Sequence, residues 1–394
     1  MQLQSSPIRG VRVAIKVLIT DDEPDLEMLL RQYFRRELQQ GVYDFRFALN
    51  GAEALEILRA DPSIEILLTD INMPVMDGLT LLGHVSELDR PIQTVVISAY
   101  GDMANIRTAM NRGAFDFLTK PIDFADLQAT LDKTVRRAEA ERRNREDRDR
   151  LTLLDSELSI ASRIQQSFLP QRAPQTQQVE LAAIMRPARH VGGDFYDYFT
   201  LNDHSLALAL GDVSGKGIPA ALFMATTRTL LKAVAHRTAQ PGQALTQVNA
   251  MLRQENRELM FATLFFGLLN PQTGELAYAN ASHLPPLLVS ANGSISEIPK
   301  SGNLMLGAIS GHTYRTLQTT MPPESKLIVF SDGITEARNH AGELFGSQRL
   351  REIVSELGPS NAQATLDHII AAVEAFTRGR VQADDWTLLV ARRV

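Results

Sequence analysis

The stretch DLQATLDKTVRRAEAERRNREDRDRLTLLDSELSIASRIQQSFLP, residues 126–170, predicts one long helix that joins two different halves of the chain. No proline or glycine interrupts it before Pro170. Its charged middle, residues 136–150, places acidic and basic side chains four residues apart, a spacing that stabilises helices. The halves on either side carry different carboxylate motifs, so the chain divides at this helix.

Apolar positions in the second part of this helix follow a heptad spacing. They are Leu151, Leu154, Leu158, Ala161 and Phe168, with Gln165 as the polar interruption. Such a seam lets two helices supercoil, and an apolar stripe left in water would be costly. Traced towards the N-terminus, the same register contains Asn144 and Asp147, so pairing there would be weak. We expect a coiled-coil linker and a homodimer, with a solvated helical spacer as the alternative.

Length and charge narrow the classes of protein that this chain can be. At 394 residues the chain is long enough for two or three domains. A net charge of −6 argues against nucleic-acid binding, and the basic residues of the helix are interleaved with acids. The absence of cysteine excludes disulfides, thiolate metal sites and a thiol nucleophile, and fits a reducing cytoplasm.

Neither apolar run suggests a membrane protein. Residues 11–19 are interrupted by Arg12 and Lys16, and residues 259–269 are too short to span a bilayer. We therefore expect neither a signal peptide nor a membrane helix.

In the first half, β-rich apolar runs alternate with amphipathic helical stretches. The expected strands are residues 14–20, 45–48, 64–69, 94–98 and 115–118. This alternation predicts an α/β fold with a parallel, doubly wound sheet, in which functional residues lie at the carboxyl ends of strands.

Five polar residues stand at those strand ends: Asp21, Asp22, Asp70, Ser98 and Lys120. Three carboxylates close together repel one another unless a hard cation such as Mg²⁺ neutralises them. One carboxylate can then act as a nucleophile towards a phosphoryl group. Lys120 can neutralise the resulting phosphate, and the Ser98 hydroxyl can donate a hydrogen bond to it.

The motifs TDDEPD (20–25), DINMP (70–74), Ser98-Ala99 and Lys120-Pro121 resemble the receiver domain of two-component response regulators, which has a flavodoxin-like fold. The resemblance implies that Asp70 is the phospho-acceptor and that a sensor histidine kinase is the phosphodonor. It also implies that the Asn72 carbonyl helps Asp21 and Asp22 to hold Mg²⁺. Ser98, Phe117 and Lys120 would report phosphorylation, although Phe117 lacks the hydroxyl that a tyrosine would offer there.

The second half is richer in hairpin-like strand pairs, with segregated helices. The expected strands are residues 181–186, 205–211, 262–269, 274–279, 326–330 and 386–391, and the expected helices are residues 219–237, 243–258, 347–357 and 361–377. This order indicates an α+β layered domain rather than a second doubly wound sheet.

Carboxylates again stand at strand ends or turns, mostly beside glycine. The motifs are Gly192-Gly193-Asp194, Gly211-Asp212-Val213-Ser214-Gly215, Ser331-Asp332-Gly333 and Asp384-Asp385. Oxygen ligands without cysteine or clustered histidine favour Mg²⁺ or Mn²⁺ over zinc. Two such ions about 3.5–4 Å apart activate water and clamp both oxygens of an in-line displacement. This chemistry hydrolyses a phosphoester without a protein nucleophile.

The motifs ELSIASRIQQSFLP, VGGDFYD, GDVSGKG, FATLFFGLL, SHLPPLL, FSDGITEA and DDWTLLV, in residues 157–390, resemble the RsbU/SpoIIE branch of the PPM-type serine/threonine phosphatases. The resemblance implies an α-β-β-α sandwich holding two Mn²⁺ or Mg²⁺ ions. The implied ligands are Asp212, the Val213 carbonyl, Asp332 and either Asp384, which we prefer, or Asp385, with Asp194 completing the acidic cluster.

Several polar residues near these motifs have two interpretations. Lys216 could steer a substrate phosphate or be a solvated turn residue, and Arg189 and His190 could meet the anion or form a polar loop. His283 follows serine where the family commonly has glycine, which favours a role in the turn over catalysis. Trp386 is expected in the core beside the site.

Together these motifs predict a response regulator with a receiver domain at residues 1–125, a coiled-coil linker at 126–170 and a phosphatase domain at 171–394. The resemblance implies that the substrate is a phosphorylated anti-sigma-factor antagonist of the STAS type, in a partner-switching pathway. The alternative is a scaffold without turnover that binds partners under receiver control. A DNA-binding regulator would require a basic recognition helix, which the sequence does not contain.

Overall fold

Two units make up the chain, Met1–Thr152 and Leu153–Val394. The structure is a computed structural model and describes residues 14–99, 101–174, 176–202 and 204–394. Residues 11–13, the start of one of the two apolar runs considered above, lie outside the described residues.

The first unit is built on a parallel sheet with helices between the strands. The strands are β1 (Ile15–Thr20), β2 (Tyr43–Ala48), β3 (Ile66–Asp70), β4 (Gln93–Ala99) and β5 (Asp116–Lys120), and the helices are α1 (Pro24–Tyr33), α2 (Arg35–Gln39), α3 (Gly51–Ala60), α4 (Gly78–Ser86) and α5 (Met103–Asn111). The strand order is β2-β1-β3-β4-β5, and all neighbours are parallel. Every residue of β3 is buried. The predicted doubly wound sheet is confirmed.

The long helix α6 runs from Phe124 to Phe168 without interruption, which confirms the prediction of one helix. Its first turns belong to the first unit, where Leu127 and Leu131 pack into the apolar cluster on one face of the sheet. An ion pair at the predicted spacing of four residues joins Arg137 to Glu141 at 2.8 Å. The start of the helix is thus held by apolar burial, which usually contributes more than exposed ion pairs.

The second unit contains two antiparallel sheets. The strands are β6 (Val179–Arg186), β7 (Phe195–Asn202), β8 (Ser205–Val213), β9 (Ala262–Leu269), β10 (Glu275–Ala281), β11 (Leu287–Val289), β12 (Ile295–Glu297), β13 (Leu317–Thr320), β14 (Lys326–Phe330) and β15 (Trp386–Arg393). The helices are α7 (Ile218–Ala235), α8 (Pro241–Glu255), α9 (Asp332–Thr335), α10 (Gly346–Glu356) and α11 (Ala362–Thr377). One sheet has the order β13-β10-β9-β8-β7 and the other β12-β11-β14-β15-β6.

The two sheets share one apolar core and are covered by helices on their outer faces. Leu208 of β8 and Leu389 of β15 belong to the same buried cluster, which also takes in Met224 of α7. On the outer face of the second sheet, Val390 packs with Ile369 of α11. The expected α-β-β-α sandwich is therefore the observed architecture of this unit.

Among the described residues, α7 is a single helix whose length and composition would allow it to cross a membrane. A helix was expected from the sequence at residues 219–237, but not one of this length and composition. Its residues Met224, Leu231 and Val234 are buried in the core of the second unit, and core helices of globular domains meet the same criteria.

Candidate phosphorylation and metal sites

In the first unit, the parallel strands bring three carboxylates together at one edge of the sheet. Asp21 and Asp22 follow β1, and Asp70 is the last residue of β3. Oxygen atoms of all three lie within 4.8 Å of one another, and only Asp22 is exposed. Burial raises the pKa of the Asp21 carboxyl, so a bound cation would remove an electrostatic cost. The residues fit a Mg²⁺ ion.

Lys120, at the end of β5, reaches into the same acidic group. Its Nζ lies 2.6 Å from Asp70 Oδ2, 3.0 Å from Asp21 Oδ2 and 3.0 Å from Glu23 Oε1. Burial alone would lower the pKa of Lys120, but the hydrogen bonds to these carboxylates raise it above its ordinary value. Lys120 is therefore a permanent cation beside Asp70.

The remaining predicted residues of this site are Ser98, Asn72 and Phe117, of which only Ser98 is buried. Ser98 on β4 is fully buried, and its hydroxyl has no hydrogen-bond partner among the described residues. The backbone N–H of Asn72 donates to Asp70 Oδ1 at 3.3 Å. Phe117 on β5 is exposed. The Ser98 hydroxyl is thus available for a new acceptor beside Asp70.

In the second unit, strand pairing brings the four acidic motifs to the same end of the two sheets. β7 begins where β8 ends, with Phe195 opposite Gly211. β15 begins where β14 ends, with Phe330 opposite Leu388. The first pair carries Asp194 and Asp212, and the second pair carries Asp332 and the Asp384-Asp385 motif.

Glycines let these motifs touch. A Cβ atom added to Gly192 would lie 2.0 Å from Asp385 Oδ2, and one added to Gly333 would lie 1.9 Å from the Asp385 carbonyl oxygen. A Cβ on Gly193 would lie 2.8 Å from the carbonyl oxygen of Val213. Such distances are too short for any side chain. The glycines predicted to permit close backbone approach therefore bring all four motifs into direct contact.

The cluster is rich in uncompensated negative charge. Burial is the main reason why the pKa of Asp194 lies well above its usual range, and the negative charges of the nearby Asp212 and Asp385 raise it further. Burial, and to a smaller extent the negative charge of Asp332, raises the pKa of Asp212 to about 7. Burial and the nearby Asp384 also raise the pKa of Asp332. Asp194 Oδ2 is buried and has no hydrogen-bond partner among the described residues. Such oxygen donors suit divalent cations.

Asp384 and Asp385 differ in what their carboxylates contact. Asp385 is buried, and its oxygens accept the backbone N–H groups of Ala188 at 2.8 Å and Gly193 at 2.8 Å. Asp384 is half exposed, and its Oδ2 lies 2.9 Å from Lys216 Nζ. Backbone donors therefore occupy both oxygens of Asp385. Asp384 accepts a single backbone N–H, that of Asp385 on Oδ1 at 3.0 Å, and its Oδ2 has a displaceable partner in Lys216. This geometry favours Asp384 as the metal ligand.

His283 and Trp386 lie in the protein interior. His283 is almost fully buried, with Nε2 3.1 Å from the Phe330 carbonyl oxygen and Nδ1 2.8 Å from Thr263 Oγ1. Burial lowers the pKa of His283 to about 4, so the ring is neutral and serves as a hydrogen-bonded link between strands. Trp386 packs in the cluster under α11, as expected.

The contacts of Gln165 were not predicted from the sequence. It is buried, its Nε2 donates to the Gly192 carbonyl oxygen at 2.6 Å, and its Oε1 accepts the Gly192 N–H at 3.0 Å. Nearby, His190 Nε2 lies 3.0 Å from Asp155 Oδ1, so the loop before Asp194 meets the last part of α6 twice. The signal for Gln165 was present as the polar interruption of an apolar heptad.

A cavity of about 230 Å³ adjoins the metal-site residues. Its lining includes Lys216, Asp384, Glu336 and two arginines, Arg338 and Arg380. Each guanidinium donates to a backbone carbonyl, Arg380 to Asn339 at 2.6 Å and Arg338 to Gly342 at 3.1 Å. Because a guanidinium has five donors, both arginines retain donors for an anion.

Comparisons with known proteins match two separate parts of the chain. Residues 17–132 match the family model for the response regulator receiver domain, and residues 202–394 match the model for Stage II sporulation protein E (SpoIIE). The phosphoserine phosphatase RsbU of Bacillus subtilis is 30% identical over 240 residues, which cover 61% of this chain and 71% of RsbU.

Protein IcfG of Synechocystis is 34% identical over 265 residues, but these cover only 41% of IcfG. This chain therefore spans less than half the length of that relative. Among solved structures, the SiaA-PP2C domain of Pseudomonas aeruginosa superposes with a TM-score of 0.55 at 20% identity, covering 62% of this chain and 98% of that domain. At this identity the likeness concerns the fold.

Proposed function

This chain belongs to the RsbU/SpoIIE family of PPM-type, metal-dependent serine/threonine phosphatases and carries a response-regulator receiver domain, and on that basis we propose that phosphorylation of the receiver controls hydrolysis of a phosphoprotein. The proposed substrate is a phosphoserine or phosphothreonine on an anti-sigma-factor antagonist of the STAS type. The phosphodonor is a sensor histidine kinase. The absence of cysteine fits action in the reducing cytoplasm.

The convergence of four acidic motifs on one end of the sandwich carries the proposal for the phosphatase. Two Mn²⁺ or Mg²⁺ ions, bound by Asp194, Asp212, Asp332, Asp384 and the Val213 carbonyl, would supply an activated water and neutralise phosphate charge. The protein's own contribution is to hold the carboxyl groups at fixed positions. Asp385 orients the Gly193 peptide beside Asp194, and Lys216 holds Asp384.

The cavity beside Asp384 supports a protein substrate. A phosphoester alone needs only the metal ions, whereas a phosphoprotein also presents the residues around its phosphoserine. Arg338 and Arg380 offer donors for acidic groups on such a surface.

In the receiver, Asp70 is the proposed phosphorylation site. A phosphoryl group would pass from a phosphohistidine of the kinase to an Asp70 oxygen, with Mg²⁺ bound by Asp21, Asp22 and the Asn72 carbonyl. Lys120 already lies 2.6 Å from Asp70 Oδ2, and the Ser98 hydroxyl could donate to the new phosphate. Phe117 would report the change without a hydroxyl contact.

Control would pass through α6, which is continuous between the units. Leu151 and Leu154 are 66% and 46% exposed, and Phe168 is also exposed, whereas Leu158 is half-buried. These apolar side chains support a homodimer in which two linker helices pair. A phosphorylation-dependent shift in that pairing worth about 1–3 kcal/mol would change activity by roughly 5–150-fold.

The decisive experiment measures Mn²⁺-dependent hydrolysis of p-nitrophenyl phosphate by the purified chain, with the Asp212→Asn variant as control. Turnover that requires both Mn²⁺ and Asp212 would support an enzyme, and its absence would favour the scaffold alternative. The same protein is then assayed on a phosphorylated STAS-domain antagonist with and without beryllofluoride, a phosphoryl analogue. An unchanged rate would contradict control by the receiver.

A further inference from the structure

We propose that His283 is a positioning residue that sets the separation of the metal ligands Asp212 and Asp332. The inference rests on the proposed function, because it concerns the same metal site. Its basis is that the imidazole ring joins the sheet that leads to Asp212 to the sheet that leads to Asp332. His283 itself is only 3% exposed, so it acts through its neighbours rather than on the substrate.

The two ring nitrogens of His283 contact different sheets. Nδ1 lies 2.8 Å from Oγ1 of Thr263 on β9, which pairs with β8 in one sheet. Nε2 lies 3.1 Å from the carbonyl oxygen of Phe330, the last residue of β14 in the other sheet. The imidazole ring is rigid, so it holds these two partners at a fixed separation.

Both partners of the ring lie close to a metal ligand. Thr263 is directly opposite Asp212 in the antiparallel pairing of β8 with β9, and paired residues of such strands have Cα atoms about 4.5–5.5 Å apart. Phe330 is two residues before Asp332, and the intervening Ser331 precedes the short helix α9 that begins at Asp332. A displacement at either contact therefore moves a ligand, and the separation of the two ligands depends on the ring.

The direction of both hydrogen bonds is defined by their partners. A backbone carbonyl can only accept, so the proton lies on Nε2 and the Phe330 carbonyl oxygen accepts it. Burial lowers the pKa of His283 to about 4, and the ring is therefore neutral near pH 7. A neutral imidazole has one N–H, so Nδ1 accepts the hydroxyl proton of Thr263. An apolar side chain at position 283 would leave both partners without this hydrogen bond.

The turn that leads to the ring is strained and is held by two further hydrogen bonds. Ser282 has a φ of 56°, a left-handed conformation that is unfavourable for a residue with a Cβ atom. Its Oγ donates to the Asn303 carbonyl oxygen at 2.9 Å, and the backbone N–H of His283 donates to Asn280 Oδ1 at 2.7 Å. A strained residue persists only where its surroundings hold it in place. The turn therefore fixes the position of His283 independently of the ring contacts.

The test removes the ring contacts in two ways. His283→Leu deletes both hydrogen bonds, whereas Thr263→Val deletes only the bond to Nδ1 and keeps the shape of the side chain. Thr365→Val on α11 is the matched control, because Thr365 is fully buried and its hydroxyl donates to the Asn361 carbonyl oxygen at 2.9 Å. Mn²⁺ binding to the full chain is measured by titration calorimetry, and the melting temperature in EDTA is measured in parallel.

Loss of positioning should appear in Mn²⁺ affinity. We expect His283→Leu to weaken Mn²⁺ binding by about 10–100-fold, as the loss of groups that orient metal ligands typically does, and Thr263→Val to weaken it by a smaller factor. Thr365→Val should lower the melting temperature but bind Mn²⁺ as tightly as the parent. At saturating Mn²⁺, His283→Leu should have a lower kcat for p-nitrophenyl phosphate and a KM within about twofold of the parent, because the substrate does not touch the buried ring.

A conservative variant separates the hydrogen bond from the ring. His283→Gln, whose amide nitrogen can donate to the Phe330 carbonyl oxygen, should regain part of the Mn²⁺ affinity that His283→Leu loses. If His283→Leu does not fold, Thr263→Val decides. Parent-like Mn²⁺ binding in every folded variant would overturn the inference, and so would an equal weakening of Mn²⁺ binding in Thr365→Val. A parent that neither binds Mn²⁺ nor turns over would instead refute the proposed function.

Discussion

The Oδ2 atom of Asp385 accepts the backbone N–H of Gly193 at 2.8 Å, across 192 positions of sequence. Through this bond the residue directly before β15 supports the loop that precedes β7. The preceding residue, Asp384, has no such role and pairs with Lys216 instead. Two adjacent carboxylates therefore have different contacts, and we expect one to act as an anchor and the other as a metal ligand.

Substituting the two residues separately should show this difference. Asp384→Asn should reduce turnover by orders of magnitude without lowering the melting temperature of the metal-free protein, because its side chain is half exposed. Asp385→Asn should lower that temperature by roughly 3–12 °C, since losing a hydrogen bond to a buried charged acceptor costs about 1.5–3 kcal/mol. Thermal unfolding in EDTA, with parallel Mn²⁺ activity assays, measures both. Equal losses of stability in the two variants would contradict the distinction.

Removing the charge of Asp212 should stabilise the metal-free protein while abolishing turnover. The folded pKa of Asp212 is raised to about 7, against about 3.9 in an unfolded chain. A raised carboxyl pKa means that the folded state is penalised as the proton is lost. The penalty is absent below about pH 4 and complete above about pH 7.

Asp212→Asn should therefore melt at a higher temperature than the parent in EDTA at pH 8. A difference of about 1 kcal/mol corresponds to roughly 2–4 °C in a domain of this size. The difference in melting temperature between variant and parent should become smaller towards pH 5. Asp367→Asn, on the exposed face of α11, is the matched control and should track the parent at both pH values. A parent more stable than Asp212→Asn at pH 8 would show that the cluster is not under electrostatic strain.

Asp70→Asn should be unable to form an acyl phosphate. Asp70 is the buried carboxylate that Lys120 approaches most closely, at 2.6 Å, and an amide cannot act as the nucleophile. Incubation with radiolabelled acetyl phosphate, followed by hydroxylamine treatment, detects the modification. Asp77→Asn removes a surface carboxylate that only caps α4 and should still be labelled. Normal hydroxylamine-sensitive labelling of Asp70→Asn would place the modification elsewhere.

Polar substitution of the linker leucines should weaken dimerisation and remove the control of the phosphatase by the receiver. Replacing Leu151, Leu154 and Leu158 with glutamine removes the apolar seam while leaving a helix-compatible sequence. Sedimentation should then show a shift towards monomer, and beryllofluoride should no longer change phosphatase rate. Substituting Arg148 with glutamine is the control on the polar part of the helix. An unchanged dimer with unchanged regulation would rule out this helix as the conduit.

The two cavity arginines should matter for a protein substrate and not for a small one. Arg338→Gln combined with Arg380→Gln should lower kcat/KM on a phosphorylated STAS protein by about tenfold or more, which corresponds to about 1.4 kcal/mol. Activity on p-nitrophenyl phosphate should be unchanged. Arg172→Gln, an exposed arginine away from the cavity lining, serves as control. Equal losses on both substrates would assign the arginines to the metal centre.

Much of the fold could be predicted because local pattern and tertiary structure agree. Every strand of the receiver was expected from a β-rich run, and its acidic residues stand where parallel strands end. β7 was missed because Asp197 interrupts its aromatic run. In the fold this carboxylate is buried and pairs with Arg228 of α7 at 2.8 Å. This partner cannot be predicted from the local sequence pattern. Strands β11, β12 and β13 are too short to show a periodicity.

The division of labour within the acidic cluster could not be read from the sequence. Whether Asp384 or Asp385 faces the backbone N–H groups of residues 188 and 193 depends on how two sheets meet. The contacts of Gln165 were hidden for the same reason. In the sequence Gln165 is a polar residue within an apolar heptad pattern. Its hydrogen-bond partner, Gly192, is brought next to it only by the tertiary structure.

Each sheet of the sandwich supplies two of the four acidic motifs, Asp194 and Asp212 from one and Asp332 and Asp384 from the other. Ions bound to all four motifs would link the two sheets at this end of the sandwich, where no strand belongs to both sheets. Metal occupancy would then protect the fold as well as enable chemistry, by about 2.7 kcal/mol per ion at a concentration one hundred times Kd. Cellular scarcity of manganese would accordingly shorten the lifetime of the phosphatase domain as well as slow its turnover.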